Sequence, residues 1–337
     1  MSTDVATPTM LADQYGRVAT DLRVSLTDRC NLRCQYCMPA EGLDWLPTDE
    51  TLTDDEVVRL IRIGVEHLGI REIRLTGGEP LLRRGLASIV EQVTALSPRP
   101  NVSMTTNALG LKHTAGALAA AGMDRVNVSL DTVRPETFAE MARRDRLDDV
   151  LAGLEAAKRA GLAPVKINAV LMRGLNDDQA PELLSWCLER GYRLRFIEQM
   201  PLDAQHQWNR DKMVTADEIF EALRPHFTLT PADRSRGSAP AEEFAVDGGP
   251  ATVGIIASVT RPFCGDCDRT RLTADGQVRN CLFAREESDL RVALRGDATD
   301  AQIAQRWRDA MWIKRPGHGI DDEGFLQPTR PMSAIGG

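Results

Sequence analysis

Asp21-Leu-Arg-Val-Ser-Leu-Thr-Asp-Arg-Cys30-Asn-Leu-Arg-Cys34-Gln-Tyr-Cys37 carries two patterns end to end. Through Leu22–Thr27 the side chains alternate. Arg23, Ser25 and Thr27 share one face and Val24 and Leu26 the other, which is the period of a β-strand. Three cysteines follow at once, spaced Cys-x3-Cys-x2-Cys. The same two-faced strand returns at Glu72–Thr76, Val102–Thr106, Arg125–Leu130, Val165–Leu171 and Arg193–Glu198. Helix-like stretches lie between. Asp54–Leu68 is opened by Thr53 with Glu56 three residues on, the capping-box spacing. Gly69, Gly122, Gly161 and Gly191 stand where a helix ends shortly before the next strand.

Six strand–helix units in a row imply a parallel sheet with helices outside. A sheet covered by helices on both sides is apolar on both faces. Here one face gathers Arg23, Arg74, Thr105, Asn127, Ser129, Lys166, Asn168, Arg193 and Arg195, and the other Val24, Leu75, Val126, Val128, Ile167 and Phe196. Burying cations without partners is strongly unfavourable, so the polar face needs a wet or ligand-filled lumen. The expected fold is α/β, an incomplete (β/α)6 TIM-type barrel over residues 21–200, preceded by an N-terminal segment, 1–20. Past residue 200 the alternation stops. Residues 201–337 read as a C-terminal α+β extension closing the barrel mouth. In it Pro231–Pro240 reads as a loop, Phe244–Val246 and Thr252–Ser258 as short antiparallel strands, and Ala301–Trp312 as a helix. The tail Pro331–Gly337 reads as loop and ends in Gly336-Gly337.

The chain has 337 residues, with 41 Lys+Arg against 49 Asp+Glu and a net charge of −8. It lacks the global basic field that would draw in nucleic acid or an acidic membrane, so neither is an expected partner. An anionic substrate would need a local positive pocket. Residues 1–20 show no apolar core of signal-peptide type, and no apolar stretch is long enough for a bilayer. The expectation is a cytoplasmic protein, where thiols stay reduced and clustered cysteines read as metal ligands before disulfides.

Six of the seven cysteines form two triplets, Cys30/Cys34/Cys37 and Cys264-x2-Cys267-x13-Cys281. A cube of four irons and four sulfides takes four thiolates. Three leave one iron open to a small molecule, and this occurs twice. The rival for the second triplet is a zinc ribbon completed by the distant His318. Cys187, beside Trp186 and Leu188, reads as a buried apolar residue of a helix over Pro181–Arg190. His67, His113, His206 and His226 show no ligand spacing.

The Cys-x3-Cys-x2-Cys loop after a first strand, with Tyr36 before its last cysteine, resembles the radical S-adenosylmethionine enzymes. Gly77-Gly78-Glu79-Pro80, after the second strand, resembles their second motif. The blocks Asp21–Cys30, Ile73–Pro80, Asn127–Asp131, Arg195–Glu198 and Phe263–Arg271, with the diglycine end, are together similar to the GTP 3′,8-cyclase family. That resemblance runs from about Tyr15 to the terminus. It implies two [4Fe–4S] clusters held by three cysteines each, with S-adenosylmethionine chelated at the open iron of the first. Reductive cleavage there would give methionine and a 5′-deoxyadenosyl radical, which takes the hydrogen from ribose C3′ of GTP. The carbon radical then adds to guanine C8, in the first step of molybdenum-cofactor biosynthesis.

By the same resemblance Tyr36, Gly78, Ser129 and Met200 contact the cofactor. Arg23, Arg74, Thr105, Lys166 and Arg195 line the lumen for the nucleotide, joined by Arg269, Thr270 and Arg271. Arg269, Arg271, Gly336 and Gly337 are the expected catalytic set, the diglycine tail reaching back into the site. Implied partners are GTP, an external electron donor and a downstream cyclic pyranopterin monophosphate synthase, with a homodimer among the assembly states left open. One departure is Glu72, where the family often has lysine. It shares a face with Arg74 and is expected to draw that arginine into an ion pair. The rival functions are a peptide-modifying radical enzyme with an auxiliary cluster, and a metal-dependent sensor without turnover.

Overall fold

The alternation read from the sequence becomes six parallel strands hydrogen-bonded in chain order: β1 Asp21–Ser25, β2 Glu72–Thr76, β3 Asn101–Thr106, β4 Arg125–Ser129, β5 Lys166–Val170 and β6 Arg193–Ile197. They belong to a computed structural model that describes residues 10–232 and 236–336. Crossover helices lie between them: α1 Asp54–Leu68, α2 Leu86–Thr94, α3 Leu111–Ala120, α4 Pro135–Ala142 with α5 Leu147–Arg159, and α6 Ala180–Arg190. The Thr53 hydroxyl accepts from Glu56 N and the Glu56 carboxylate accepts from Thr53 N, so the capping box of α1 is closed. Gly69 ends that helix at φ 76°, a left-handed position that glycine occupies without strain.

Leu22, Val24, Ile73, Leu75, Val126, Val128, Ile167, Leu194 and Phe196 are all at most 1% exposed and form the helix-facing core. Each such side chain contributes roughly 1.5–3 kcal/mol of burial. The opposite face brings like charges together. Arg271, Arg23 and Arg74 are register partners on three adjacent strands, as are Lys166 and Arg193 further along the sheet. Like charges directly opposite are destabilising unless an anion lies among them. The sheet is therefore built to hold one.

The C-terminal region extends this same sheet at both edges. β7 Leu229–Pro231, β8 Glu242–Val246 and β9 Thr252–Ile256 add beside β6; β10 Arg269–Leu272, β11 Gln277–Arg279 and β12 Ser288–Asp289 add beside β1. β8 and β9 are antiparallel to each other, as expected, but β9 runs parallel to β6. The strand β10 was not legible in advance, and it pairs in parallel with β1. The tail also departs from the loop expected of it, since Met332–Ile335 form a short helix. A further helix, α7, spans Asp300–Trp312. Among the described residues no helix is long and apolar enough to cross a membrane.

Candidate active site

The first cysteine loop leaves β1 and rests on the segment after β2. A Cβ on Gly77 would lie 2.3 Å from the Thr27 carbonyl oxygen, and one on Gly78 2.2 Å from that of Arg29. Only glycine allows this approach. Glu79, fully buried, accepts from Thr106 Oγ1 at 2.6 Å, Leu81 N at 3.0 Å and Asn107 N at 2.7 Å. Burial nevertheless pushes its carboxyl up to about 7. Asn107 Nδ2 in turn reaches Asn31 Oδ1 at 2.7 Å and Cys30 Sγ at 3.8 Å. The Gly-Gly-Glu-Pro segment thus braces the cysteine loop from below.

Tyr36 donates its hydroxyl to Asp131 Oδ2 at 3.0 Å, while Asp131 Oδ1 accepts from Val170 N at 2.8 Å. Burial raises Asp131 to about 6. Burial also raises Cys37 to about 12 and lifts Cys30 and Cys34, with Glu79 and Asp131 adding repulsion at the latter two. A thiolate in such a setting needs metal charge to form.

A cavity of about 970 Å³, counting its open mouth, lies over the polar face of the sheet. Arg23, Arg74, Thr105, Asn168 and Arg195 line it from β1, β2, β3, β5 and β6, Arg269 and Arg271 from β10, with Met200, Phe263, Phe283 and His318 around them. Cys264, Cys267 and Cys281 also face it. Asp21, whose side chain the sequence reading overlooked, lies 3.8 Å from Arg74 and 3.9 Å from both Arg23 and Arg269. Burial works to raise Asp21, but Arg23, Arg74, Arg269 and Arg271 outweigh it and hold the carboxyl below its usual range. Burial, with the neighbouring guanidiniums, lowers Arg23 and Arg271 to about 9. The buried Nε atoms of Arg23, Arg74 and Arg269 and the Oδ1 of Asn168 have no hydrogen-bond partner among the described residues. Asp268 also stands 3.7 Å from Arg269, but five guanidiniums against these few carboxylates leave the cavity positive.

Not every expected residue joins it. Thr270 alternates to the core side of β10, where its hydroxyl accepts from Trp307 Nε1 at 3.0 Å; its side chain is withdrawn from the cavity. Lys166 is on the polar face, in register with Asn127 and Arg193, but outside the cavity lining. Burial, then Arg195, Arg125 and Arg74, lowers it to about 7. Ser129 is the register partner of Asn168. Glu72 does not pair with Arg74. It accepts from Asn101 Nδ2, its register partner on β3, at 2.7 Å and meets Arg125 diagonally at 3.0 Å. Gly336 enters between β1 and β2, where Arg271 donates to its carbonyl. A Cβ there would lie 2.4 Å from Thr76 Cγ2 and 2.9 Å from Ser25 Oγ, and φ is +71°. Gly337 lies outside the described residues. Cys187 is fully buried on α6.

Around the second triplet, Arg17 Nη1 donates to the Cys264 carbonyl at 2.7 Å, and Lys314, only 2% exposed, places Nζ 3.4 Å from Cys267 Sγ. Lys314 belongs to no sequence motif, and nothing in the chain pointed to it. Asp21 could have been found, since it shares the odd-numbered face of Arg23. Among the described residues no three Cys, His, Asp or Glu side chains are arranged around a single metal ion. A multi-iron cluster takes thiolates on separate metal corners, and each triplet supplies that donor type.

The profile "Radical SAM superfamily" matches residues 24–187, and "Molybdenum Cofactor Synthesis C" matches residues 192–320. The chain is 68% identical to the GTP 3′,8-cyclase of Streptomyces coelicolor over 97% of its own length and 96% of that protein. It is 61% identical to that of Mycolicibacterium smegmatis, over 97% and 92%, and 58% identical to that of Corynebacterium glutamicum, over 97% and 89%. Its fold resembles the crystal structure of Streptococcus suis SuiB bound to S-adenosylmethionine, with a TM-score of 0.56 at 14% identity, over 95% of this chain and 77% of that one. With both cysteine triplets and the cationic cavity in place, relatives this close over nearly their whole length put the chain in the GTP 3′,8-cyclase family.

Proposed function

We propose that the enzyme converts GTP to (8S)-3′,8-cyclo-7,8-dihydroguanosine 5′-triphosphate, in the first step of molybdopterin biosynthesis. One observation carries this: a cavity lined by five guanidiniums and bounded by the second cysteine triplet. A triphosphate has the charge and the acceptor oxygens that the cavity lacks, and guanidinium forks match phosphate geometry.

In this reading the six strands are an incomplete barrel, 21–200, entered after an N-terminal segment, 1–20, and capped by 201–337. Cys30, Cys34 and Cys37 hold one [4Fe–4S] cluster and Cys264, Cys267 and Cys281 a second. S-adenosylmethionine held at the first would supply the radical chemistry, given an electron from an external donor. Tyr36, Gly78, Ser129 and Met200 hold that cofactor at the mouth of the barrel. Arg23, Arg74, Thr105, Arg195, Arg269 and Arg271 orient the nucleotide, and Lys166 adds positive charge deeper in the lumen. Thr270 serves by anchoring β10 to Trp307. Arg271 fixes Gly336, so the tail closes one side of the lumen and excludes water. The product passes to a downstream cyclic pyranopterin monophosphate synthase, in a cytosol that keeps all six thiols reduced.

Anaerobic incubation with GTP, S-adenosylmethionine and a reductant, followed by chromatographic separation of the nucleotides and fragmentation mass analysis of each, tests the reading. A cyclised nucleotide of unchanged mass is expected, from protein carrying about eight irons. Recovery of unaltered GTP from fully iron-loaded enzyme would sink it.

A further inference from the structure

Lys314 is a buried ammonium without an acid. Its Nζ donates to the carbonyl oxygens of Cys267 and Arg269, each at 3.1 Å, and stands 3.4 Å from Cys267 Sγ. Among the described residues no carboxylate forms an ion pair with it. Arg269 Nη1 approaches the same sulfur at 3.8 Å. The first triplet differs in geometry. The group against its sulfur is the neutral amide of Asn107, 3.8 Å from Cys30 Sγ, with Glu79 behind it and Asp131 bonded to Tyr36, while Arg33 and Arg143 donate to backbone carbonyls of the loop. The reduction potential of an iron–sulfur cluster follows net charge and hydrogen bonds to its sulfurs. A buried cation stabilises the extra electron; nearby carboxylates disfavour it.

Building on the two-cluster reading, we propose that Lys314 is a positioning residue whose buried charge holds the potential of the cluster on Cys264, Cys267 and Cys281 above that of the cluster on Cys30, Cys34 and Cys37. The two sites therefore fill with electrons in a fixed order, the second before the first. The first stays the stronger reductant, as cleavage of a sulfonium requires, while the second serves as the easier acceptor beside the substrate cavity.

The test is an anaerobic redox titration of the reconstituted full chain, followed by electron paramagnetic resonance. Cys34→Ser and Cys281→Ser samples assign the two signals. In Lys314→Met and Lys314→Gln, the reduced-to-oxidised ratio of the second cluster at fixed potential should fall about tenfold, equal to 59 mV for one electron. The first cluster should not move, and Lys314→Arg should titrate like the wild type. An unmoved second cluster in both neutral variants, or equal shifts of both clusters, would overturn the proposal. So would loss of iron from the second triplet in both neutral variants but not in Lys314→Arg, since the lysine would then serve assembly. Wild-type protein with one signal and about four irons would instead defeat the two-cluster reading, and this inference with it.

Discussion

Cys30, Cys34 and Cys37 sit on one loop after β1, braced by the neighbouring Gly-Gly-Glu-Pro turn and overlooked by Glu79, Asp131 and Asp203. Cys264, Cys267 and Cys281 are gathered from a turn before β10 and a segment beyond β11, and Lys314 and Arg269 reach the Cys267 sulfur while Arg17 donates to the Cys264 carbonyl. The first set is local in sequence, and Glu79 and Asp131 are bonded into its support. The second is assembled by a hairpin and lies among cations, facing the cavity whose guanidiniums await an anion. The difference teaches that three cysteines alone do not define a site's task. The charges around them set which molecule each site receives.

The largest break in this comparison comes from the ligands themselves. Cys34→Ser should abolish S-adenosylmethionine cleavage, whereas Cys281→Ser should spare cleavage and abolish cyclisation. Each loss should exceed the roughly 10- to 100-fold effect of removing an outer-shell partner. 5′-Deoxyadenosine and cyclised nucleotide, measured side by side, separate the two. Full-rate cyclisation by Cys281→Ser would remove the second triplet from the reaction.

Asp21→Asn sharpens the cationic half. Without the Asp21 carboxylate the ligand-free protein should lose about 2 kcal/mol, below the 3–5 kcal/mol of a tightly paired buried bridge because the separations here are 3.8–3.9 Å. Denaturant midpoints read this loss, and added GTP should restore the variant more than the wild type. Weaker GTP binding by the variant would mean instead that Asp21 aims the guanidiniums.

Lys166 gives the comparison a pH dependence. Its folded value, about 7, lies below the ordinary lysine value of 10.5. The empty protein therefore gains stability as pH rises from about 7 towards 10.5, where only the unfolded chain keeps the proton. A triphosphate favours the charged form, so binding takes up a proton above pH 7. GTP affinity should fall as pH rises past 7, by up to about tenfold per unit. Lys166→Arg should flatten that slope in binding titrations; an unchanged slope would assign it elsewhere.

The smallest effect is expected at the acidic site. Tyr36→Phe removes the 3.0 Å hydrogen bond to Asp131 and should cost about 1 kcal/mol in thermal or denaturant unfolding. It should also raise Asp131 above its present value near 6, since that bond favours the carboxylate.

The six central strands were legible because a period of two is written directly in residues such as Arg23, Val24 and Ser25, with no long-range information needed. Their bounds shift by a residue or so, as at Asp21–Ser25 against the expected Leu22–Thr27. The first cysteine triplet was legible for the same reason. Thr270 was misjudged because its motif neighbours Arg269 and Arg271 face the cavity while strand alternation turns Thr270 to Trp307. Glu72 was misjudged because its side chain turns across the sheet to its register partner Asn101 and to Arg125, a cross-strand choice that no local pattern records.

The sequence by itself determined the parallel βα order, the polar face and the two cysteine triplets, since each is a matter of spacing along the chain. Tertiary structure alone decided that β10 joins β1, that Gly336 returns to Arg271, and that Asp21 and Lys314 sit against their partners. These meetings join residues tens to hundreds of positions apart. Their energy comes from burial and charge, which exist only once the chain has closed around them.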